Sequence, residues 1–280
     1  LFMALVYGDQ PAGWDIGGTK EVIKSLNRDQ IVDYRSRHYV AKATTVIVAG
    51  AFNEKELLKK IESLFAGIPV SKKFSKQKTA DSQMRPKALV HFKESDQTHI
   101  VLGARAFDMF DSRRYALDVL SDILGGGMSS RLFQKVREEL GAAYYVRAGS
   151  DLLTDHGLFA VSAGLNNSRV EQVVKAILGE LKKISSSLVG EEELRKSKNH
   201  LTGGFMIGLE TSDELANFYG QQEIFHEKIM SPKELVKKIE AVTAKEVLSV
   251  AKDIMKNKNL NLALIGPFKD KSKFEKILKI

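Results

Sequence analysis

Two stretches of this chain repeat one another at a single fixed offset, and no other feature limits the fold as much. Val46-Ile47-Val48-Ala49-Gly50-Ala51-Phe52, with Asn53 to Ile61 behind it, returns in kind as Leu262-Ala263-Leu264-Ile265-Gly266-Pro267-Phe268, with Lys269 to Ile277 behind it. Gly50 and Gly266 lie 216 positions apart, and so do Phe52 and Phe268. Upstream, the same offset sets Asn27-Arg28-Asp29-Gln30-Ile31 on Thr243-Ala244-Lys245-Glu246-Val247, Ile23 on Ile239 and Leu26 on Val242. Each copy reads as a helix, a second helix capped by Asn27 or Thr243, a short buried strand, a glycine turn and a further helix. Independent units drift apart by several loop residues, so an ungapped offset points to duplication.

The duplication predicts the domain plan. Lys72 to Lys78 and on through Arg85-Pro86 is polar and proline-bounded, as linkers are. Residues 1–86 are then the C-terminal part of a first domain plus linker, and 87–280 a complete second domain. The offset sets Leu1 against Asn217, so the first copy lacks a counterpart of 87–216 and is expected to begin mid-domain. The opening Leu-Phe-Met-Ala-Leu-Val has neither the basic start nor the small-residue cleavage site of a signal peptide.

In the second domain, Ala88 to Phe92 and His99 to Ala104 read as strands. A helix follows with Ala116, Leu117, Leu120, Ile123 and Leu124 on one face. Gly125-Gly126-Gly127-Met128-Ser129-Ser130 is a flexible loop ahead of a helix from Arg131 to Leu140. Ala143 to Gly149 and Leu158 to Ala163 are strands. Val170, Val173, Val174, Ile177, Leu178, Leu181 and Ile184 mark a long amphipathic helix, and two more helices cover 191–209 and 212–225. Strand pairs followed by helices, without strict alternation, predict an α+β fold: duplicated two-layer α/β sandwiches with an antiparallel-rich sheet, the first one truncated.

Composition narrows the function. The net charge is +8, but lysines such as Lys55, Lys59, Lys60, Lys237 and Lys238 are spread over helix faces without interleaved aromatic residues, which argues against nucleic acid. With no cysteine there is no disulfide, thiolate metal site or cysteine nucleophile. No apolar run approaches the roughly 20 residues of a membrane span, and the absence of a targeting signal is read as a cytoplasmic location.

The segment Leu124-Gly125-Gly126-Gly127-Met128-Ser129-Ser130-Arg131-Leu132-Phe133-Gln134-Lys135-Val136-Arg137-Glu138-Glu139-Leu140-Gly141-Ala142-Ala143-Tyr144 resembles the second domain of pitrilysin/insulinase-type zinc peptidases, most closely the smaller bacterial and mitochondrial-processing-peptidase branch. Gln97 to Gly103, Asp155 to Phe159 with Ala163-Gly164, and Glu193 to Lys198 with Leu209-Glu210-Thr211 support the likeness. It implies two homologous α+β domains per unit, a zinc ion held by a His-x-x-Glu-His motif in the early half of the first domain, and active units of four domains built by dimers or paired subunits.

That motif is absent here, and none of the six histidines has the i, i+4 or i, i+5 partner that a helical site needs. His91 and His99 are eight apart across a strand-turn-strand region, and His226-Glu227 stands at a helix end without a second histidine. No zinc site is expected in this chain, and zinc is expected in the parent protein. The resemblance carries over an Arg and a Tyr seven residues later, Arg137 and Tyr144, which hold the peptide backbone and the developing oxyanion. Tyr145 follows directly, where many relatives carry Ser. The Gly125-Gly126-Gly127 loop corresponds to one that helps capture substrate in a non-catalytic processing-peptidase subunit; here it is short and reads first as a close-packing turn. The expected partner is a peptide or unfolded small protein. The alternative is a non-catalytic partner subunit, which the same Arg and Tyr also fit.

Overall fold

A computed structural model describes residues 1–225 and 228–280. Its helices are α1 Phe2–Tyr7, α2 Lys20–Ser25, α3 Arg28–His38, α4 Glu54–Phe65, α5 Arg114–Gly125, α6 Val170–Ile184, α7 Glu191–Ile207, α8 Ser212–Phe225, α9 Pro232–Glu240, α10 Ala244–Ile254 and α11 Ser272–Ile277. Its strands are β1 Lys87–Phe92, β2 Gln97–Ala106, β3 Ala143–Leu152, β4 Gly157–Asn166 and β5 Leu260–Gly266. The chain divides into two compact units, one of Leu1–Trp14, Thr79–Phe205 and Met230–Ile280, the other of Asp15–Lys78 and Met206–Ile229.

The larger unit is built on a five-stranded sheet in the order β1-β5-β2-β4-β3. The last strand inserts between the first two, parallel to β1 and antiparallel to β2. The other pairings are antiparallel. Strand side chains alternate between faces, and one set of alternates goes into the core. Ile100, Leu102 and Ala104 of β2, Phe159, Val161, Ala163 and Leu165 of β4, and Leu260, Leu262 and Leu264 of β5 are buried in one cluster. Covering them are Leu117, Leu120 and Leu124 of α5, Val173, Ile177 and Leu181 of α6, and Val247 and Val250 of α10. This is the two-layer α+β arrangement expected from the sequence. The opposite face of the sheet is open except at one end. There Tyr7 of α1 donates to the Gly157 carbonyl at 3.0 Å, and Val6, Tyr7 and Leu158 form a small separate cluster.

Repetition survives in local structure. Asn27 caps α3 in a reciprocal box with Gln30, and Thr243 caps α10 in the same box with Glu246. These caps satisfy orphan amide donors at matching points of the two copies. The copies part at residues 46–49, expected as a strand like Leu262 to Ile265. They form no strand and pair with no other segment among the described residues. A strand needs neighbours for its backbone groups, and in the second copy these are β1 and β2, whose counterparts by the repeat offset are not in this sequence. In the smaller unit, Ile47 instead lies against Gly220 of α8, where a Cβ would come within 2.4 Å of its Cδ1.

Where α5 meets β3, Ser150 donates to Asp118 at 3.1 Å. Burial pushes the Asp118 carboxyl up to about 6, against the opposing effects of that hydrogen bond and of Arg114. Its folded value exceeds its unfolded value, so its stabilising contribution is complete below about pH 4 and is lost as pH rises through 6. Asp118→Asn is therefore expected to stabilise the fold at pH 8 by on the order of 2 kcal/mol, with the gap closing by about pH 4. Denaturant unfolding at both pH values checks this; an equal effect at each would mean that Asp118 is not held neutral.

Candidate functional site

Arg137, Tyr144 and their surroundings are assembled by four local devices. Residues Phe133–Glu139 wind as a π-helical segment, the widened form that recurs at functional sites. Gly141 then turns the chain toward β3 with φ +55°, the left-handed conformation that favours glycine at a helix end. Arg169 fastens this turn by donating to the Leu140 carbonyl at 3.0 Å. On β3, Ala143 pairs with Leu165 and Tyr145 with Gly164, so Tyr144 is the extra residue of a β-bulge. Bulges redirect side chains at sheet edges, and β3 is an edge strand.

The structure brings the two carried-over residues together. The Arg137 guanidinium donates to the Tyr144 carbonyl at 3.1 Å and stands over the Phe133 ring, 5.2 Å from its centroid. The ring and the carbonyl hold the planar fork while leaving further N–H donors free. Tyr144 is 54% exposed, and its hydroxyl has no hydrogen-bond partner among the described residues. Tyr145, at 37%, behaves differently. Its hydroxyl meets His99 Nδ1 at 3.1 Å, and its ring lies on Gly164.

A row of side-chain positions thus crosses the open face at one level: His91, Ile265, His99, Gly164 and Tyr145, one on each strand. Arg147 leaves β3 on the same face, opposite Ser162, and is exposed. Sequence reasoning leaves His99 and Arg147 without a role. Alternation along β3 is enough to put Arg147 beside Tyr145, but no local signal carries the β2–β4–β3 register that delivers His99.

The glycine loop approaches from the other side. Gly125 is buried at the end of α5, and a Cβ there would lie 2.2 Å from the Ala148 amide nitrogen. Gly126 packs on Asp122, while Gly127 faces His200 across ordinary contact distances. His200 is hydrogen-bonded through Nδ1 to Asp122 at 2.6 Å. Gly127, Met128, Ser129, Glu193, Lys196 and His200 line a cleft of about 400 Å³. Gly125 therefore meets β3 from the helical layer, and Tyr145 and Arg147 leave the strand on the opposite face.

The donor set does not fit zinc. His91 and His99 flank Ile265 on separate strands, and although Nδ1 of His99, His156 and His200 meets Tyr145, Asp155 and Asp122 respectively, which leaves Nε2 able to ligate, no further donors converge on any of them among the described residues. Among the described residues no three His, Asp or Glu side chains form a group that could hold a metal ion. His226 and Glu227 lie outside the described residues. No described helix is long and apolar enough to cross a membrane.

Residues 25–201 match the family described as the peptidase M16 inactive domain. The chain belongs to this family. Its similarity to pitrilysin/insulinase-type peptidases extends beyond the matched span. The chain is 30% identical over its full length to an uncharacterized zinc protease of Mycobacterium leprae, covering 63% of that protein. It is 32% identical over 97% of its length to a second one, from Streptomyces coelicolor, covering 60% of it. It thus spans less than two thirds of these relatives. Solved structures agree on the fold: a Helicobacter pylori protease superposes with a TM-score of 0.87 at 21% identity, over 95% of this chain and 65% of that one. A chain of complex III2 from Candida albicans superposes with a TM-score of 0.87 at 16% identity, over 100% of this chain and 69% of that one. The M16 inactive domain here therefore carries the adjoining Arg137 and Tyr144 on a fold shared with both solved structures.

Proposed function

We propose that this M16 chain is a portion of a zinc-dependent endopeptidase that cleaves peptides or unfolded small proteins, and that it supplies the Arg137/Tyr144 donors rather than the metal ligands. The observation that carries this reading is the exposed guanidinium held against the backbone carbonyl of the exposed Tyr144, whose hydroxyl has no partner among the described residues. Amide hydrolysis puts negative charge on the scissile carbonyl oxygen, and donors fixed in advance stabilise that charge by several kcal/mol. The guanidinium offers a planar set of N–H donors, and the phenol adds an O–H donor. Relatives named zinc proteases support zinc in the whole protein. The residues present do not fit the ion, so no step is assigned to it within this chain. Under this reading Gly126, exposed, and Gly127, facing the cleft, are the loop glycines available to a peptide, and the buried Gly125 packs. A homodimer or paired-subunit assembly in the cytoplasm completes the proposal.

The likeness to a complex III2 chain favours a second reading, a non-catalytic partner or structural subunit of a processing-peptidase-like complex. Sequence upstream of Leu1 separates the two: a His-x-x-Glu-His motif there supports the first. At the bench, the purified chain incubated with zinc and a quenched fluorescent peptide is expected to release no fluorescence. Zinc-dependent turnover by this chain alone would overturn the division of labour.

A further inference from the structure

We propose that His99 and Gly164 act as a register lock, positioning residues that select Tyr144 rather than Tyr145 as the free phenol beside Arg137. Two adjacent tyrosines sit at a β-bulge, and only one of them can occupy the place opposite Gly164. A one-residue movement of the bulge would exchange them, because strand side chains alternate between faces. Local sequence does not choose between two identical side chains, so the choice rests on what each meets across the sheet. Tyr145 meets an unfilled space and a partner. A Cβ on Gly164 would come within 2.5 Å of its ring carbon Cε1, and its hydroxyl bonds to His99 Nδ1 at 3.1 Å with the two rings stacked 6.0 Å apart. His99 is held opposite Gly164 on one side and Ile265 on the other, in the middle of the sheet. With Tyr145 seated, the carbonyl of Tyr144 faces Arg137 and its ring stays free.

The consequence for turnover rests on the functional reading above; the lock itself does not. Two variants break it by different routes. His99→Leu removes the bond, and Gly164→Ala keeps both partners but fills the space beneath the ring. His99→Asn retains a polar atom near the position of Nδ1. With 3-fluorotyrosine placed at 144 in the full chain, wild type and His99→Asn are expected to give one fluorine resonance. His99→Leu and Gly164→Ala are expected to give a second one. A single unshifted resonance in both breaking variants would overturn the lock.

In the intact peptidase, His99→Leu is expected to lower kcat roughly ten- to a hundredfold with little change in KM, and His99→Asn to restore most of it, as for misplacement of a positioned donor. A doubled resonance with unchanged kcat in His99→Leu, Arg137→Ala and Tyr144→Phe alike would support the lock and overturn the oxyanion role. Loss of kcat in Arg137→Ala with none in His99→Leu, and one resonance throughout, would do the reverse.

Discussion

Replacing Arg137 by Ala, or Tyr144 by Phe, in the intact peptidase is expected to lower turnover by about 10²–10³ while leaving the fold unchanged, the usual cost of removing one oxyanion donor. Both side chains are on the surface of this unit and neither belongs to its core. Loss of either should therefore leave the melting temperature near wild type, since surface substitutions away from packed features are close to neutral. Arg137→Ala also frees the Tyr144 carbonyl, so it should exceed Tyr144→Phe, which removes one oxygen and keeps the ring. Arg137→Lys keeps the charge but not the planar fork over Phe133, and should fall between wild type and Ala. Steady-state kinetics with a quenched peptide, beside thermal unfolding of each variant, checks all of this. Unchanged rates in both Arg137→Ala and Tyr144→Phe would remove the pair from the chemistry.

A large stability effect is expected at Gly125. Gly125→Ala puts a methyl 2.2 Å from the Ala148 amide nitrogen and 2.9 Å from the Arg147 carbonyl carbon, both backbone atoms. A side chain can rotate away from a new methyl; a paired strand cannot. Either α5 lifts from β3 or β3 shifts on β4, and overpacking of this kind costs about 3 kcal/mol, at the upper end of its usual range. The contrast is Gly127→Ala, where the nearest atom is His200 Cε1 at 3.7 Å and the expected change is within about 0.5 kcal/mol. Urea unfolding of the two variants distinguishes a packing glycine from a loop glycine three residues into the same motif. Gly125→Ala should also lower turnover, because β3 carries Tyr144.

The elements with strong apolar periodicity were legible from the chain itself. The face of α5 from Ala116 to Leu124 and that of α6 from Val170 to Ile184 are buried as their spacing predicts. The capping boxes at Asn27 and Thr243 show that a repeat in sequence reports a repeat in local structure. What escaped was long-range. Insertion of β5 between β1 and β2 depends on pairing over some 170 residues, which no window along the chain contains. The segment 46–49 carries a strand-like composition, yet strands are defined by partners rather than by composition. Arg137 and Tyr144 were found through resemblance alone, because a helical Arg and a strand Tyr are common surface residues. The π-helical winding around Arg137, the bulge at Tyr144 and the bond from Tyr145 to His99 arise only once β3 is paired.

The most direct measurement places a photoreactive residue where the scissile amide should lie. In the intact peptidase, Tyr144 replaced by p-benzoylphenylalanine is irradiated with a peptide substrate bound, and the adduct is mapped by mass spectrometry. The expected result is a crosslink to residues flanking the cleavage site, suppressed by an excess of unlabelled peptide. A crosslink no stronger than that from the same group at Lys175, on the far helical layer, would contradict a substrate-facing role for this surface.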